Sequence, residues 1–187
     1  FISVPALFCL VVGEYVFFGP YALVAGGSAL AGFFLQRIKA SEEIQNNETL
    51  VISALIFITV PLLVSMPFQL PGINWIDAFF EAVSGVTTTG LSNLPTVENL
   101  PKTFQFSRAW LQWIGGLGFV ILSVAVLLPH SKATLQLFRQ NWEQEGLIAS
   151  TKAYARIILL VYLALTLAGF ILLMLLGVRW FDSAVHV

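Results

Sequence analysis

Charge is what this sequence has least of: Asp, Glu, Lys and Arg make up 10% of its 187 residues, while 58% are hydrophobic. An ordinary soluble domain carries roughly 25% charged and about 45–50% apolar residues, so a water-soluble globule is excluded. The net charge is −1 and the charges are scattered, which excludes a nucleic-acid surface and a long acidic or basic tail. A single cysteine, Cys9, excludes an intrachain disulfide framework and a cysteine-based metal site; within the apolar run 1–13 it reads as a small buried hydrophobe. His130 and His186 have no second ligand at metal spacing and read as interfacial or packing residues. Gly115-Gly116-x-Gly118 has no strand before it, so it reads as a close helix contact rather than a nucleotide loop.

Apolar length is what is present. Stretches 15–36, 49–76, 109–129 and 157–178 contain no Asp, Glu, Lys or Arg, and a bilayer-spanning helix needs about 20 such residues. The expected fold class is an all-α polytopic membrane protein. The run 1–13 begins without Met, is too short to span at about 1.5 Å per residue, and reads as a truncated first helix of a fragment. A break at Gly13-Glu14 precedes a span at 15–36, with Pro20 in its first turns, where proline is tolerated; Glu14 reads as marking the outer loop. The polar string 41–48 reads as a solvated loop, and a span at about 49–67 is ended by Pro67 and Pro71. Further spans are expected at about 109–128 and 156–177, joined by an amphipathic connector. Arg37, Lys39, Lys132, Arg139, Lys152 and Arg156 fall on one side of these spans, and Lys102, Arg108 and Arg179 on the other. Basic residues favour the cytoplasmic side, which places 37–48 and 129–155 inside and 68–107 outside. Trp110, Trp113 and Trp180 suit the outer interface, and Arg108 is expected to snorkel or to pair with a carboxylate such as Glu98.

The stretch 68–107 is too broken for an ordinary span and too apolar for a water loop. Trp75-Ile76-Asp77-Ala78 recurs as Trp180-Phe181-Asp182-Ser183 at an offset of 105 residues, in both cases just after an apolar span, which points to duplication. Asn74 is suited to cap a short helix over 75–85, with Asp77 in the capping-box position. Such a helix reaches only about half way across the hydrocarbon, and non-helical backbone at membrane depth is tolerated only inside protein or along a wet cavity. The run Val86-Thr87-Thr88-Thr89-Gly90-Leu91 therefore needs a partner for its carbonyls, and a row of carbonyl oxygens replaces the water shell of a monovalent cation. Gly90 allows the necessary bend, and the threonine hydroxyls are expected to tie the loop to its surroundings. Glu81 shares a helix face with Asp77. An ionisable group at this depth is functional by default, and Glu81 reads equally well as bracing the filter or as attracting cations.

The runs DAFFEAVSGVTTTG (77–90), RAWLQWIGGLGFVIL (108–122), ARIILLVYLALT (155–166) and WFDSAVHV (180–187) together resemble the Trk/Ktr potassium-uptake family, closest to its bacterial TrkH-type subunit. The resemblance implies four helix–pore loop–helix units of the potassium-channel type around one pore. Residues 1–43 then resemble an N-terminal transmembrane helix pair, 44–150 the first unit with its cytoplasmic connector, and 151–187 the start of the second. It implies potassium coordinated by backbone carbonyls of Thr87, Thr88, Thr89 and Gly90, chiefly Thr88 and Thr89; Glu81 and Asp77 are read from their place in the short helix as filter support. It also implies a homodimer in the bacterial inner membrane, regulated by a cytoplasmic nucleotide-binding subunit of the TrkA type, with potassium as substrate, no cofactor and no catalysis. The rivals are a non-conducting membrane assembly subunit and an intramembrane enzyme using Asp77 and Glu81.

Overall fold

The breaks between the apolar runs fall where backbone chemistry requires them. In the computed structural model, residues 2–37, 46–127 and 147–187 are described; His130 and the parts of the expected loop and connector at 38–45 and 128–146 lie outside them. Helix α1 (Ser3–Val12) is followed by a 3-10 turn (Tyr15–Phe17) and by α2 (Phe18–Leu35), α3 (Asn46–Phe68), α4 (Trp75–Val86), α5 (Lys102–Leu127), α6 (Leu147–Leu175) and α7 (Trp180–His186). There is no strand among the described residues.

Three boundaries differ from expectation. Helix α3 takes in Asn46–Glu48 of the polar string, where Glu48 lies near the positive end of the helix. It runs through Pro61 and ends at Phe68, one residue past Pro67, as expected. Both proline rings are fully buried, and a membrane helix tolerates proline where neighbours compensate the lost hydrogen bond. Helix α5 starts at Lys102 rather than at 109, and α6 at Leu147 rather than at 156, because no proline or glycine intervenes between Leu147 and Gly169 to stop it.

Among the described residues, three helices are long and apolar enough to cross a membrane: Tyr15–Leu35, Val51–Phe68 and Ala155–Leu175. The span expected at 109–128 lies in α5, which is not one of these three. Side chains such as Leu23 and Leu30, Leu55 and Ile58, and Leu165 and Leu172 are exposed along these three helices.

Packing divides the chain into two units, Phe1–Gly115 and Gly116–Val187. The first has its core where α3 supplies Val64 and Phe68, α4 supplies Ala78, Ala82 and Val86, and α5 supplies Phe104 and Leu111. Ala78, Glu81, Ala82 and Gly85 are all buried and follow the spacing of one helix face. A smaller cluster of Ala6, Cys9, Phe17 and Tyr21 holds α1 against α2. In the second unit α6 ends with Gly177 at φ 86°, its N–H on the Met174 carbonyl (3.0 Å) and that of Val178 on the Leu173 carbonyl (3.1 Å), the left-handed glycine stop of many helices.

The local geometry before α4 recurs before α7. Gly72 and Gly177 have φ of 88° and 86°, and Asn74 and Arg179 are extended N-caps with ψ of 162° and 147°. Trp75 and Trp180 are the first helical residues. The offset of 105 residues seen in the side chains is thus present in the backbone as well.

Candidate functional site

Helix α4 has 12 residues, about 18 Å at 1.5 Å per residue, against roughly 30 Å of hydrocarbon. Its start is locally determined. The Asn74 side chain accepts from the Asp77 N–H at 2.9 Å, and the Asn74 amide donates back to the Asp77 carboxylate, a side-chain variant of the capping box. Asp77 also accepts from the Asn93 side chain, so it ties the start of α4 to the chain beyond the loop.

After Val86 the backbone curls back on the end of α4. The N–H groups of Thr87, Thr88 and Thr89 donate to the carbonyls of Val83 (2.9 Å), Gly85 (3.0 Å) and Ser84 (3.0 Å), and that of Gly90 reaches Ser84 at 3.4 Å. Thr88 has φ 56° and Gly90 φ 74°; left-handed angles were anticipated for the glycine only, and a β-branched residue there is strained. One hydroxyl ties the loop to the end of α4, as expected, and the others bond within the segment itself. Thr87 Oγ1 donates to the Val83 carbonyl at 2.7 Å and lies 2.8 Å from Thr89 Oγ1, while Thr88 Oγ1 donates to the Thr87 carbonyl at 2.7 Å. All four residues are exposed. Among the described residues, the carbonyls of Thr88, Thr89 and Gly90 accept no hydrogen bond.

The far end of the loop is fixed from two helices. The Leu91 carbonyl accepts from Ser84 Oγ at 2.5 Å and from Arg108 Nη2 at 3.2 Å. Glu81 is fully buried. Its Oε1 accepts from Ser92 Oγ at 2.6 Å and from the Asn93 N–H at 3.2 Å. Its Oε2 forms an ion pair with Arg108 Nε at 2.5 Å, and neither of those two atoms has another partner among the described residues. Arg108 therefore pairs with Glu81 and not with Glu98, whose backbone carbonyl instead accepts from Gln105 at 3.0 Å. The burial of Glu81 selects this partner, since a carboxylate taken out of water needs a countercharge.

Gly115, noted in the sequence only as part of a packing motif, meets the loop directly. A Cβ built on it would lie 2.0 Å from the Val86 carbonyl oxygen, so α5 and the end of α4 touch backbone to backbone. Ser84, Ser92 and Asn93 were not singled out in the sequence, because serine and asparagine beside a turn are ordinary turn chemistry. Glu14 is more than a loop marker: its carboxylate accepts from the N–H groups of Lys102 (3.1 Å) and Thr103 (2.9 Å) at the start of α5.

Comparison with known proteins bears on this geometry. A family model described as TrkH, cation transport protein, matches residues 30–185. An uncharacterized cation transporter of Methanocaldococcus jannaschii is 32% identical over 157 residues, covering 83% of this chain and 33% of the relative. The Trk system potassium uptake protein TrkH of Vibrio parahaemolyticus is 34% identical over 153 residues, covering 77% of this chain and 31% of that protein. The protein of the same description in Escherichia coli K12 is 33% identical over 157 residues, covering 79% and 32%. The chain spans about a third of the length of these relatives, which are transporters and not enzymes. With its long apolar helices it is a membrane protein, and it belongs to the TrkH family of cation transport proteins.

Proposed function

We propose that this chain carries the first of four helix–pore loop–helix units of a potassium-uptake protein, and that Thr87, Thr88, Thr89 and Gly90 form one quarter of its selectivity filter. The observation that supports this reading is the asymmetry of the loop. Its N–H groups are tied to the end of α4, while the carbonyls of Thr88, Thr89 and Gly90 accept no hydrogen bond among the described residues. A dehydrated potassium ion is the partner such oxygens suit. Asp77, Glu81 and Arg108 hold the loop in shape from behind. An enzyme reading of Asp77 and Glu81 has no support, because both carboxylates are engaged by neighbouring donors and the relatives are transporters. On this reading, residues 1–43 are an N-terminal helix pair, 44–150 the first unit and 151–187 the opening of the second. The whole protein acts as a homodimer in the bacterial inner membrane under a nucleotide-binding subunit of the TrkA type.

Gly90→Ser in the full-length protein tests the filter. A Cβ there meets only Gln112 Nε2, at 3.4 Å, so space is adequate and backbone angle is the difficulty. Left-handed angles cost a residue with a Cβ roughly 1–2 kcal/mol, and about 1.4 kcal/mol is tenfold in an equilibrium constant. Preference for potassium over sodium, measured as flux in reconstituted vesicles, is expected to fall about tenfold on that scale with assembly intact. Thr88→Ala is expected to do less, since it keeps the carbonyl and loses only the hydroxyl bond to Thr87. Unchanged selectivity in a well-folded Gly90→Ser protein overturns the assignment.

The orientation has its own test. Cysteines introduced at Asn99 and Ser131 in the full-length protein are expected to differ towards an impermeant thiol reagent applied from outside, with labelling at 99 alone. Equal labelling, or labelling at 131 alone, contradicts the basic-residue assignment.

A further inference from the structure

The N-terminal helices α1 and α2 meet α5 through three unlike contacts. Glu14, in the break between α1 and the turn leading to α2, accepts from the Lys102 and Thr103 N–H groups across 88 and 89 residues of sequence. Phe8 of α1 stacks on Phe106 of α5 with ring centroids 4.0 Å apart. Tyr21 of α2 is buried, and its hydroxyl donates at 2.6 Å to Ser107 Oγ, which donates in turn to the Thr103 carbonyl at 2.6 Å. Arg108, the next residue, holds both Glu81 and the Leu91 carbonyl.

Position 101 would ordinarily carry the cap of α5. Its carbonyl accepts the first helical bond, from the Gln105 N–H at 3.2 Å, yet the residue is Pro101, which has no side-chain oxygen to offer. The capping function is displaced onto a carboxylate from another helix pair, where it meets the positive end of α5. A local cap satisfies the helix end and no more; a cap supplied from a distance also fixes where the helix stands.

We propose that Glu14 and Tyr21 are positioning residues for the pore loop, acting through α5 and Arg108, so that the N-terminal helix pair sets ion selectivity without touching the ion. The proposal rests on the filter reading given above. A merely structural cap and a positioning cap are separated by moving the cap. Glu14→Ala removes it, and Pro101→Asp in the same protein restores a local one without restoring the tether.

In the full-length protein, Glu14→Ala is expected to lower thermal stability and to reduce potassium-over-sodium discrimination by about two- to thirtyfold, the range that the loss of a cap spans when converted to a ratio. Glu14→Gln, which keeps an acceptor but not the charge, is expected to fall between. Adding Pro101→Asp to Glu14→Ala is expected to return stability while discrimination stays low. Tyr21→Phe, which loses only a hydroxyl, is expected to lower discrimination with normal membrane insertion and so keeps the proposal open to test if Glu14→Ala fails to fold. Full recovery of discrimination in the Glu14→Ala, Pro101→Asp protein overturns the proposal, because capping alone then accounts for Glu14. Wild-type discrimination in both Glu14→Gln and Tyr21→Phe, in a protein whose selectivity does respond to Gly90→Ser, overturns it too. If Gly90→Ser also leaves selectivity unchanged, the filter reading itself has failed and this proposal falls with it.

Discussion

A single methyl group added at Gly115 is expected to abolish potassium uptake by the full-length protein. The Cβ of Gly115→Ala would lie 2.0 Å from the Val86 carbonyl oxygen, 2.8 Å from its carbon and 3.1 Å from its Cα. All three are backbone atoms, so no side-chain rotation relieves the clash, and either α5 or the end of α4 has to move. Helix α5 is held by Leu111 in the core, by the Arg108–Glu81 pair and by Glu14 at its start. Displacement therefore falls on Val86, one residue before the loop. Overpacking of a tight site costs about 1–3 kcal/mol and sometimes more, and a backbone obstacle belongs at the upper end. Gly85→Ala supplies the graded comparison. Its nearest obstacle is Leu111 Cβ at 3.1 Å, with Cδ1 at 3.4 Å; a Cβ moves only with its backbone, but the shift required is a few tenths of an ångström rather than more than one. Rubidium flux in reconstituted vesicles is expected to be lost in Gly115→Ala and only reduced in Gly85→Ala. Wild-type flux and thermal stability in Gly115→Ala would show that the two backbones do not approach as described.

What the sequence made legible was what depends on near neighbours along the chain. Apolar run length gave the long helices, and Asn74 with Asp77 gave the start of α4, because a cap and its partner are three residues apart. The left-handed angle at Gly90 follows from residue type. The partners of Glu81 and Arg108 were not legible: 27 residues separate them, and their pairing depends on α4 and α5 lying side by side, which no local pattern encodes. Glu14 is the extreme case, since a lone glutamate between two apolar runs looks like a loop residue until the start of α5 is brought to it from 88 residues away. Gly115-Gly116-x-Gly118 announced a close approach without naming what approaches. Pro67 does mark the end of α3, which stops at Phe68, whereas Pro61 lies well inside the same helix with its ring fully buried, where neighbours compensate the lost hydrogen bond.

The largest loss of stability is expected on removing one partner of the Glu81–Arg108 pair. Glu81 is fully buried and the Arg108 side chain is 14% exposed, so Arg108→Gln leaves a carboxylate in a dry site with only Ser92 and the Asn93 N–H to answer it. Breaking a buried pair from one side costs about 3–5 kcal/mol, while replacing both partners with well-packed apolar residues is often neutral. That contrast separates folding from function here. Arg108→Gln alone, and Glu81→Gln alone, are expected to lower the thermal midpoint and to lose flux. Glu81→Met with Arg108→Met is expected to regain much of the stability, because no uncompensated charge remains, and yet to stay poorly selective. The Leu91 carbonyl has lost Arg108 Nη2, and Ser92 and Asn93 have lost the Glu81 carboxylate, so the segment after Gly90 is released whatever the stability of the helices behind it. On that outcome the pair holds the loop rather than the fold. Thermal unfolding in detergent and selectivity of flux in vesicles, measured on the same preparations, decide this. Wild-type stability and flux in Arg108→Gln would remove the ion pair from the account, and full selectivity in the doubly substituted protein would show that Ser84 and the Asp77–Asn93 contact hold the loop by themselves.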